Sequence, residues 1–418
     1  MRRGRSESRA PSPAPESRLL ASLIFVATYA VIALGRLPGA RLDRAGAALI
    51  GASLMVATGV LSLGEAFRAI DPATIVLLLG MMILVANLRF SGFFGLAAMA
   101  IARSARHPVP LLAGVVAVSG ALSAFLVNDT VCLMLAPLVA ETAARLKRNP
   151  VPYLLGVAMA SNIGSAATIT GNPQNMIIGS LSQIPYGAFA AALAPASAVC
   201  LVVAALFIVL AFPREFLTRE RLPAVTIRVR VNRALLARAL VAMAALIALF
   251  FLGAEPAKVA IIIGALLLIT RRVKPERVYA EIDWALLLMF AGLFIVVAGF
   301  ERAVLSPQVT GETAGLGLGR PAVLALVAAV LSNLVSNVPA VLVLKPFIAA
   351  LPSPRHAWLI LAMASTFAGN FAIVGSVANL IVVERARRHG VTIDFWSHAR
   401  IGAPLAIVTI ALGVLIVG

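Results

Sequence analysis

The sequence predicts an all-α polytopic membrane protein of two inverted repeats, each with five transmembrane spans, one re-entrant helical hairpin and a discontinuous helix at the site. Three observations predict it. Of the 418 residues 61% are hydrophobic and only 12% charged, with mean hydropathy +1.00, which soluble domains do not reach. Apolar runs of spanning length recur along the whole chain, in place of the roughly ten-residue alternating stretches of a β-barrel. Finally, the chain repeats itself. Leu122-Ser123 to Asn128, with Pro137, returns as Leu331-Ser332 to Asn337, with Pro346; Ala160-Ser161, Gly171 and Asn175 return as Ala364-Ser365, Gly375 and Asn379.

Taken in order, residues 1–18 are rich in Arg, Ser and Pro and are expected to form a disordered N-terminal tail. The first repeat, 19–212, has apolar spans at 19–35, 45–63, 73–89 and 187–212. Between them, 108–140 is apolar but interrupted by Asn128-Asp129-Thr130, which suits a hairpin that descends to mid-membrane, turns and returns. The stretch 152–178 carries Gly171-Asn172-Pro173; a glycine frees the backbone and a proline removes a donor, so this helix should break near 170–174. A basic linker, 213–236, is expected on the cytoplasmic side. The second repeat, 237–418, has spans at 237–254, 257–270, 284–300 and 400–417. Its hairpin, 321–350, is interrupted at Ser336-Asn337-Val338-Pro339, and its broken helix, 357–382, at Gly375-Ser376 without a proline.

The offset between copies is 212 at Asp71 and Asp283, 209 at Asn128 and Asn337, and 204 at Asn175 and Asn379. A drift that small is what loop-length changes give a duplicated unit, and an odd number of spans per unit turns the second copy over. Placing the N-terminus outside puts roughly two thirds of the Lys and Arg on the inside, as the positive-inside rule asks. The basic tail runs against that orientation. A bacterial inner membrane is the expected location, with lipid as the surrounding partner.

The net charge of +18 does not point to nucleic acid, because the basic residues sit in loops between spans. Cys132 and Cys200 fall inside apolar segments, and His107, His356, His389 and His398 have no metal-ligand spacing. No phosphate loop, hydrolase elbow or zinc motif is present, so no enzyme activity and no cofactor are expected beyond a sodium ion.

Polar residues at membrane depth are costly unless they line a cavity or a site. The duplicated interruptions therefore nominate four clusters: Asn128, Asp129 and Thr130; Ser161, Asn162, Thr170, Gly171, Asn172 and Asn175; Ser336 and Asn337; and Asn370, Gly375, Ser376 and Asn379. Singly, such residues serve helix packing. Half-helix N-termini suit an anion, whereas unwound carbonyls and amide oxygens suit sodium, for which Asn128, Gly171, Asn337 and Gly375 are the candidates. Asp129 is an intramembrane carboxylate and the candidate proton carrier; the second tip has Val338 in its place. Lys345 is a cation in the second hairpin that can snorkel to the interface, pair with Asp129 or attract an anion.

Asn128-Asp129-Thr130 with Leu133 to Pro137, Ser161 to Ala167 with Gly171 to Asn175, and Ser332 to Pro339 resemble the ion transporter superfamily over about 45–400. This group holds arsenite/antimonite permeases, citrate–metal symporters, divalent anion/sodium symporters and a class of sodium/proton antiporters. The resemblance implies a scaffold domain, often dimeric, and a transport domain made of the hairpins and broken helices. In the dicarboxylate members each tip carries Ser-Asn-Thr. Here the tips read Val127-Asn128-Asp129 and Ser336-Asn337-Val338, and an acidic tip is more like the arsenite-permease branch. The expected function is secondary active transport of small anions or oxyanions by alternating access, coupled to protons or sodium. A sodium/proton antiporter on the same scaffold is the alternative. A membrane-embedded enzyme would need His, Cys or paired carboxylates in the core.

Overall fold

A computed structural model describes residues 15–34, 42–104, 106–218, 220–223, 229–269, 273–304 and 317–418. Tail residues 1–14, linker residues 219 and 224–228, and the loop charges Arg36, Arg41, Arg271 and Arg272 lie outside the described residues. Among the described residues every regular element is helical. In order these are α1 Pro15–Leu34, α2 Arg44–Ala57, α3 Leu63–Ala69, α4 Pro72–Ser91, α5 Phe93–Ser104, α6 Pro108–Phe125, α7 Asn128–Arg145, α8 Pro150–Ser165, α9 Pro173–Ser182 and α10 Tyr186–Ala211. There follow α11 Pro213–Phe216, α12 Arg233–Phe251, α13 Pro256–Leu268, α14 Pro275–Tyr279, α15 Trp284–Val304, α16 Pro321–Val335, α17 Asn337–Ala349, α18 Pro354–Ala368, α19 Val377–Arg388 and α20 Phe395–Val417. By length and composition α1, α4, α6, α10, α12, α15 and α20 can each cross a membrane.

Several boundaries differ from the sequence expectation: the 45–63 span stops at Ala57, the linker holds α11 and the start of α12, and the last span begins at Phe395. The first helix starts at Pro15, so the last residues assigned to the tail are helical. The run after the third span contains a separate helix, α5, because Gly92 adopts a left-handed conformation (φ 87°) that ends α4.

The chain forms two compact units, 1–70 with 288–313, and 71–287 with 314–418. In the first, Phe25 stacks on Tyr29 and on Phe300, with ring centroids 4.3 and 4.2 Å apart. Ser62 and Glu65 cap α3 reciprocally, and Glu65 also pairs with Arg302.

The second unit holds both hairpins. A side chain on Gly156 would meet Leu112 and one on Gly164 would meet Gly120, so α6 and α8 run parallel. Asn128 bonds to Asn162 and Cys132 Sγ donates to the Val157 carbonyl, so α7 runs antiparallel to α8. It follows that α6 and α7 are antiparallel limbs with a break at Leu126-Val127. The α6–α8 contact is backbone on backbone: a Cβ at Gly164 would lie 2.2 Å from the Gly120 oxygen. In the second hairpin the break is at Ser336, a non-glycine residue at φ 77°. Pro339, read from the sequence as a helix breaker, falls in the first turn of α17, where its missing N–H costs nothing. The returning limbs pack crosswise: α7 lies against α19, and α17 against α9.

A buried clamp ties the base of the first hairpin to the chain after α10. Arg148 donates to the Glu215 carboxylate at 2.8 Å and to its carbonyl at 2.6 Å, and Tyr153 donates to the same carboxylate at 2.9 Å. The Arg148 and Glu215 side chains are 12% and 11% exposed, whereas Glu220, the other partner of Arg148, is 80% exposed. Glu215→Ala is expected to cost about 2–3 kcal/mol, because it leaves a partly buried guanidinium with only the exposed Glu220 as partner. Glu220→Ala should stay within about 0.5 kcal/mol of the parent. Thermal unfolding in detergent checks the pair; equal melting temperatures would refute the difference.

Candidate functional site

Both broken helices have the same form. In the first, α8 ends, Thr168 is extended, Ile169–Gly171 makes a 3-10 turn, and Asn172 is extended before α9. In the second, Ala372 and Ser376 are extended on either side of the turn Ile373–Gly375. Thr168 has φ −140° and ψ 166°, and Ala372 has φ −139° and ψ 162°. Unwinding frees carbonyls that must find donors. Asn175 Nδ2 donates to the Ser165 and Thr168 carbonyls at 3.2 and 3.0 Å. Asn379 Nδ2 donates to the Gly369 and Ala372 carbonyls at 2.7 and 3.0 Å. The same offset of 204 relates all three positions, so the repeat in the sequence is a repeat of hydrogen bonds. The second break holds without a proline because Ser376 caps α19 as Asn172 caps α9.

Asn162, on α8, joins the second break to the first tip. Its Nδ2 donates to Asn370 Oδ1 at 2.9 Å and Asn379 Oδ1 at 3.0 Å. Its Oδ1 accepts from Ser376 Oγ at 2.9 Å and Asn128 Nδ2 at 3.2 Å. Ser161 Oγ donates to the Asn128 carbonyl at 3.1 Å. Six of the nominated residues thus form one connected, buried cluster. Asn172 instead donates to Ser165 Oγ and Thr366 Oγ1, at 3.0 and 3.3 Å. Thr170 is hydrogen-bonded to the Tyr186 hydroxyl at 2.8 Å. Gly171 and Gly375 lie in the turns themselves.

Ser336 and Asn337 form the tip of the second hairpin, and none of the Asn162 hydrogen bonds reaches them. Asp129 and Thr130 face away from it, into a cavity of about 120 Å³ shared with Arg89, Glu281 and Asp283. Arg89 and Glu281 form an ion pair there, and Asp283 caps α15 through the Leu286 N–H. Lys345 lines a different cavity together with Arg355.

Several participants were not nominated from sequence. Ser165 and Thr366 accept from Asn172, Gln174 Nε2 donates to the same Thr366 hydroxyl, and His398 Nε2 donates to the Asn370 carbonyl at 3.0 Å. Asn333 Nδ2 donates to the Ala368 carbonyl at 3.0 Å. Ser165, Gln174 and Asn333 lie within the motifs quoted from the sequence and were legible; Thr366 and His398 were not.

The polarity of the cluster is set by backbone. A carbonyl only accepts, so the amides of Asn175, Asn333 and Asn379 must turn Nδ2 toward the carbonyls they meet. Asn379 Oδ1 then has to accept from Asn162, which leaves Asn162 Oδ1 to accept from Asn128. The buried oxygens Asn128 Oδ1, Asn175 Oδ1, Asn333 Oδ1 and Asn337 Oδ1 have no partner. Among the described residues no Lys or Arg side chain hydrogen-bonds to this cluster. What the arrangement offers chemically is a set of neutral acceptors held by a rigid amide frame.

Residues 29–368 match the family model described as citrate transporter. An uncharacterized transporter of Mycobacterium tuberculosis is 32% identical, with 94% of this chain and 96% of the relative covered. The silicon efflux transporter LSI3 of Oryza sativa subsp. japonica is 27% identical over 96% of this chain and 97% of its own. Among solved structures, the Alcanivorax borkumensis YdaH transporter shares the fold, with TM-score 0.59, 14% identity and coverage of 96% and 98%. The duplicated breaks, the apolar helices and these matches agree: this chain is a multi-pass membrane protein and a transporter belonging to the citrate transporter family.

Proposed function

We propose that this chain is a secondary active transporter of small anions or oxyanions, coupled to protons or sodium and working by alternating access in a bacterial inner membrane. The observation that carries this reading is the Asn162 cluster, where one amide on the first half of the first broken helix bonds to three residues of the second break and to the first hairpin tip. Such a cluster can change state only if those elements move together. The unpartnered amide oxygens want a donor or a cation, which supports an anion entering with a proton or with sodium rather than bare. The name of the rice relative, a silicon efflux transporter, fits the oxyanion side of this reading. We take the two copies to be inverted and the protein to be a homodimer, as the family resemblance implies.

Flux into proteoliposomes against arsenite, citrate, succinate, sulfate and sodium, with and without a pH gradient, tests this. No flux of any of these solutes would refute it. A second reading, sodium/proton antiport, is favoured by the acidic groups facing Asp129; sodium-dependent proton movement without an anion would establish it. In either case Asp129 is the proton carrier. Asp129→Asn is expected to abolish transport or uncouple it from the pH gradient while the protein keeps its melting temperature. Unchanged pH-dependent flux would remove that role.

A further inference from the structure

Two cavities of the second unit share α4 as a wall, at opposite ends of it. One, about 350 Å³, is lined by Ala73, Thr74 and Leu77 of α4 together with Ile169 and Met176 of the first break. The other, about 120 Å³, is lined by Met82, Val85, Ala86 and Arg89 of α4 together with Asp129 at the first tip. Thr74 and Arg89 are fifteen positions apart, a rise of roughly 22 Å, most of a bilayer core. At about 100° per residue, Ala73, Thr74, Leu77, Met82, Val85, Ala86 and Arg89 span roughly 220° of the helix circumference, leaving Val76 and Gly80 on the rest.

The rest is fixed. A Cβ on Gly80 would sit 2.4 Å from the carbonyl carbon of Ala260, so α4 and α13 touch backbone to backbone there. Gly264 returns the contact from α13, its Cβ position lying 3.3 Å from Gly80 Cα. Because 80 meets 260 and 264 meets 80 and 83, α4 and α13 run parallel. The turn Gly253–Pro256 before α13 therefore closes the cavity at the N-terminal end of α4 and cannot reach the other.

Between the cavities, on the cavity-facing side, stand Leu78 and Met81, both 0% exposed. By position along α4 they stand between the two spaces, and both are apolar. One space is bordered by the first break and the other by the first hairpin tip. Asn162, on α8 just before that break, bonds to the tip through Asn128.

We propose that one face of α4 is the fixed wall of the translocation route: it lines an entry on each side of the membrane, with Leu78 and Met81 as the apolar barrier between. This rests on the transport reading above. It assigns the cavity at Ile169 to one membrane face and the cavity at Asp129 to the other.

The test uses single cysteines in the full chain with the buried Cys132 and Cys200 replaced by alanine. Ala73→Cys, Ala86→Cys and the rear-facing Val76→Cys are treated with the impermeant anion methanethiosulfonate ethylsulfonate, in right-side-out and in inside-out vesicles. Modification is read as the mass of the intact protein, and flux is measured in parallel. Ala73→Cys should react from one side only, Ala86→Cys from the other only, and Val76→Cys from neither. Flux through the two reactive variants should fall to background once they are modified. Reaction of both from the same side, equal reaction of Val76→Cys, or full flux after modification overturns the proposal. So does failure of Ala73→Cys and Ala86→Cys to react in a protein that transports normally. Because reaction is read by mass, absence of flux in the parent refutes the transport reading without deciding the route.

Discussion

Asn162→Leu is expected to abolish transport and to lower the melting temperature sharply. Leucine keeps the branching of asparagine, with more bulk, and none of its four hydrogen bonds. Asn370 Oδ1 and one bond of Asn379 Oδ1 lose their donor, and Asn128 Nδ2 and Ser376 Oγ lose their acceptor, all in buried positions. Each buried polar group so orphaned costs about 1–3 kcal/mol, and the total stability of a domain is about 5–15 kcal/mol. Asn162→Asp separates stability from coupling. It keeps the acceptor toward Ser376 and Asn128 and removes the donor toward Asn370 and Asn379, so the tip stays attached to α8 while the second break is released. We expect that variant to fold and to transport poorly. Proteoliposome flux with thermal unfolding in detergent checks both. Normal flux in Asn162→Leu would show that the cluster is packing and nothing more.

The second large effect is an asymmetry between equivalent glycines. A Cβ on Gly171 would lie 2.1 Å from the Ser165 carbonyl oxygen, a backbone atom that also accepts from Asn175. Nothing there can give without undoing the break. On Gly375 a Cβ would lie 3.1 Å from the corresponding Gly369 oxygen and 2.6 Å from Asn333 Oδ1, the end of a side chain that can rotate. Gly171→Ala should therefore be misfolded or inactive. Gly375→Ala should fold with a melting temperature a few degrees lower, about the 1–3 kcal/mol of an overpacked site. Size-exclusion profiles and melting curves decide it. Equal behaviour of the two would mean that the breaks are interchangeable, contrary to their geometry.

Helix existence and the place of each break were legible because both are local. A run of apolar residues must be helical to satisfy its backbone in lipid, and Gly171-Asn172-Pro173 cannot continue one. The duplication carried more than expected: Asn175 and Asn379 were nominated for substrate or ion binding, and their amides also brace the unwound carbonyls, leaving Asn175 Oδ1 unpartnered. What stayed hidden was pairing across distance. Nothing near Asn162 announces Asn370, 208 positions on, and nothing near Asp129 announces Arg89, Glu281 and Asp283. The role of Glu215 was equally hidden. In a basic linker it reads as one acid among many arginines, and only the fold brings Arg148 and Tyr153 to it.

The crosswise packing of the returning limbs has a consequence for biosynthesis. Asn162 leaves the ribosome 208 residues before Asn370 and 217 before Asn379. At about 5–20 residues per second, that is an interval of roughly 10–40 s during which the first copy has emerged with the Nδ2 of its central amide unanswered and only Asn128 bonded to its Oδ1. Through that interval the Nδ2 must be met by water, by lipid headgroups or by an insertion factor, because hydrocarbon offers it no acceptor. Maturation of the first copy therefore waits on synthesis of the second: a chain stopped after α10 holds the first break and the first tip without the acceptors that Asn162 requires.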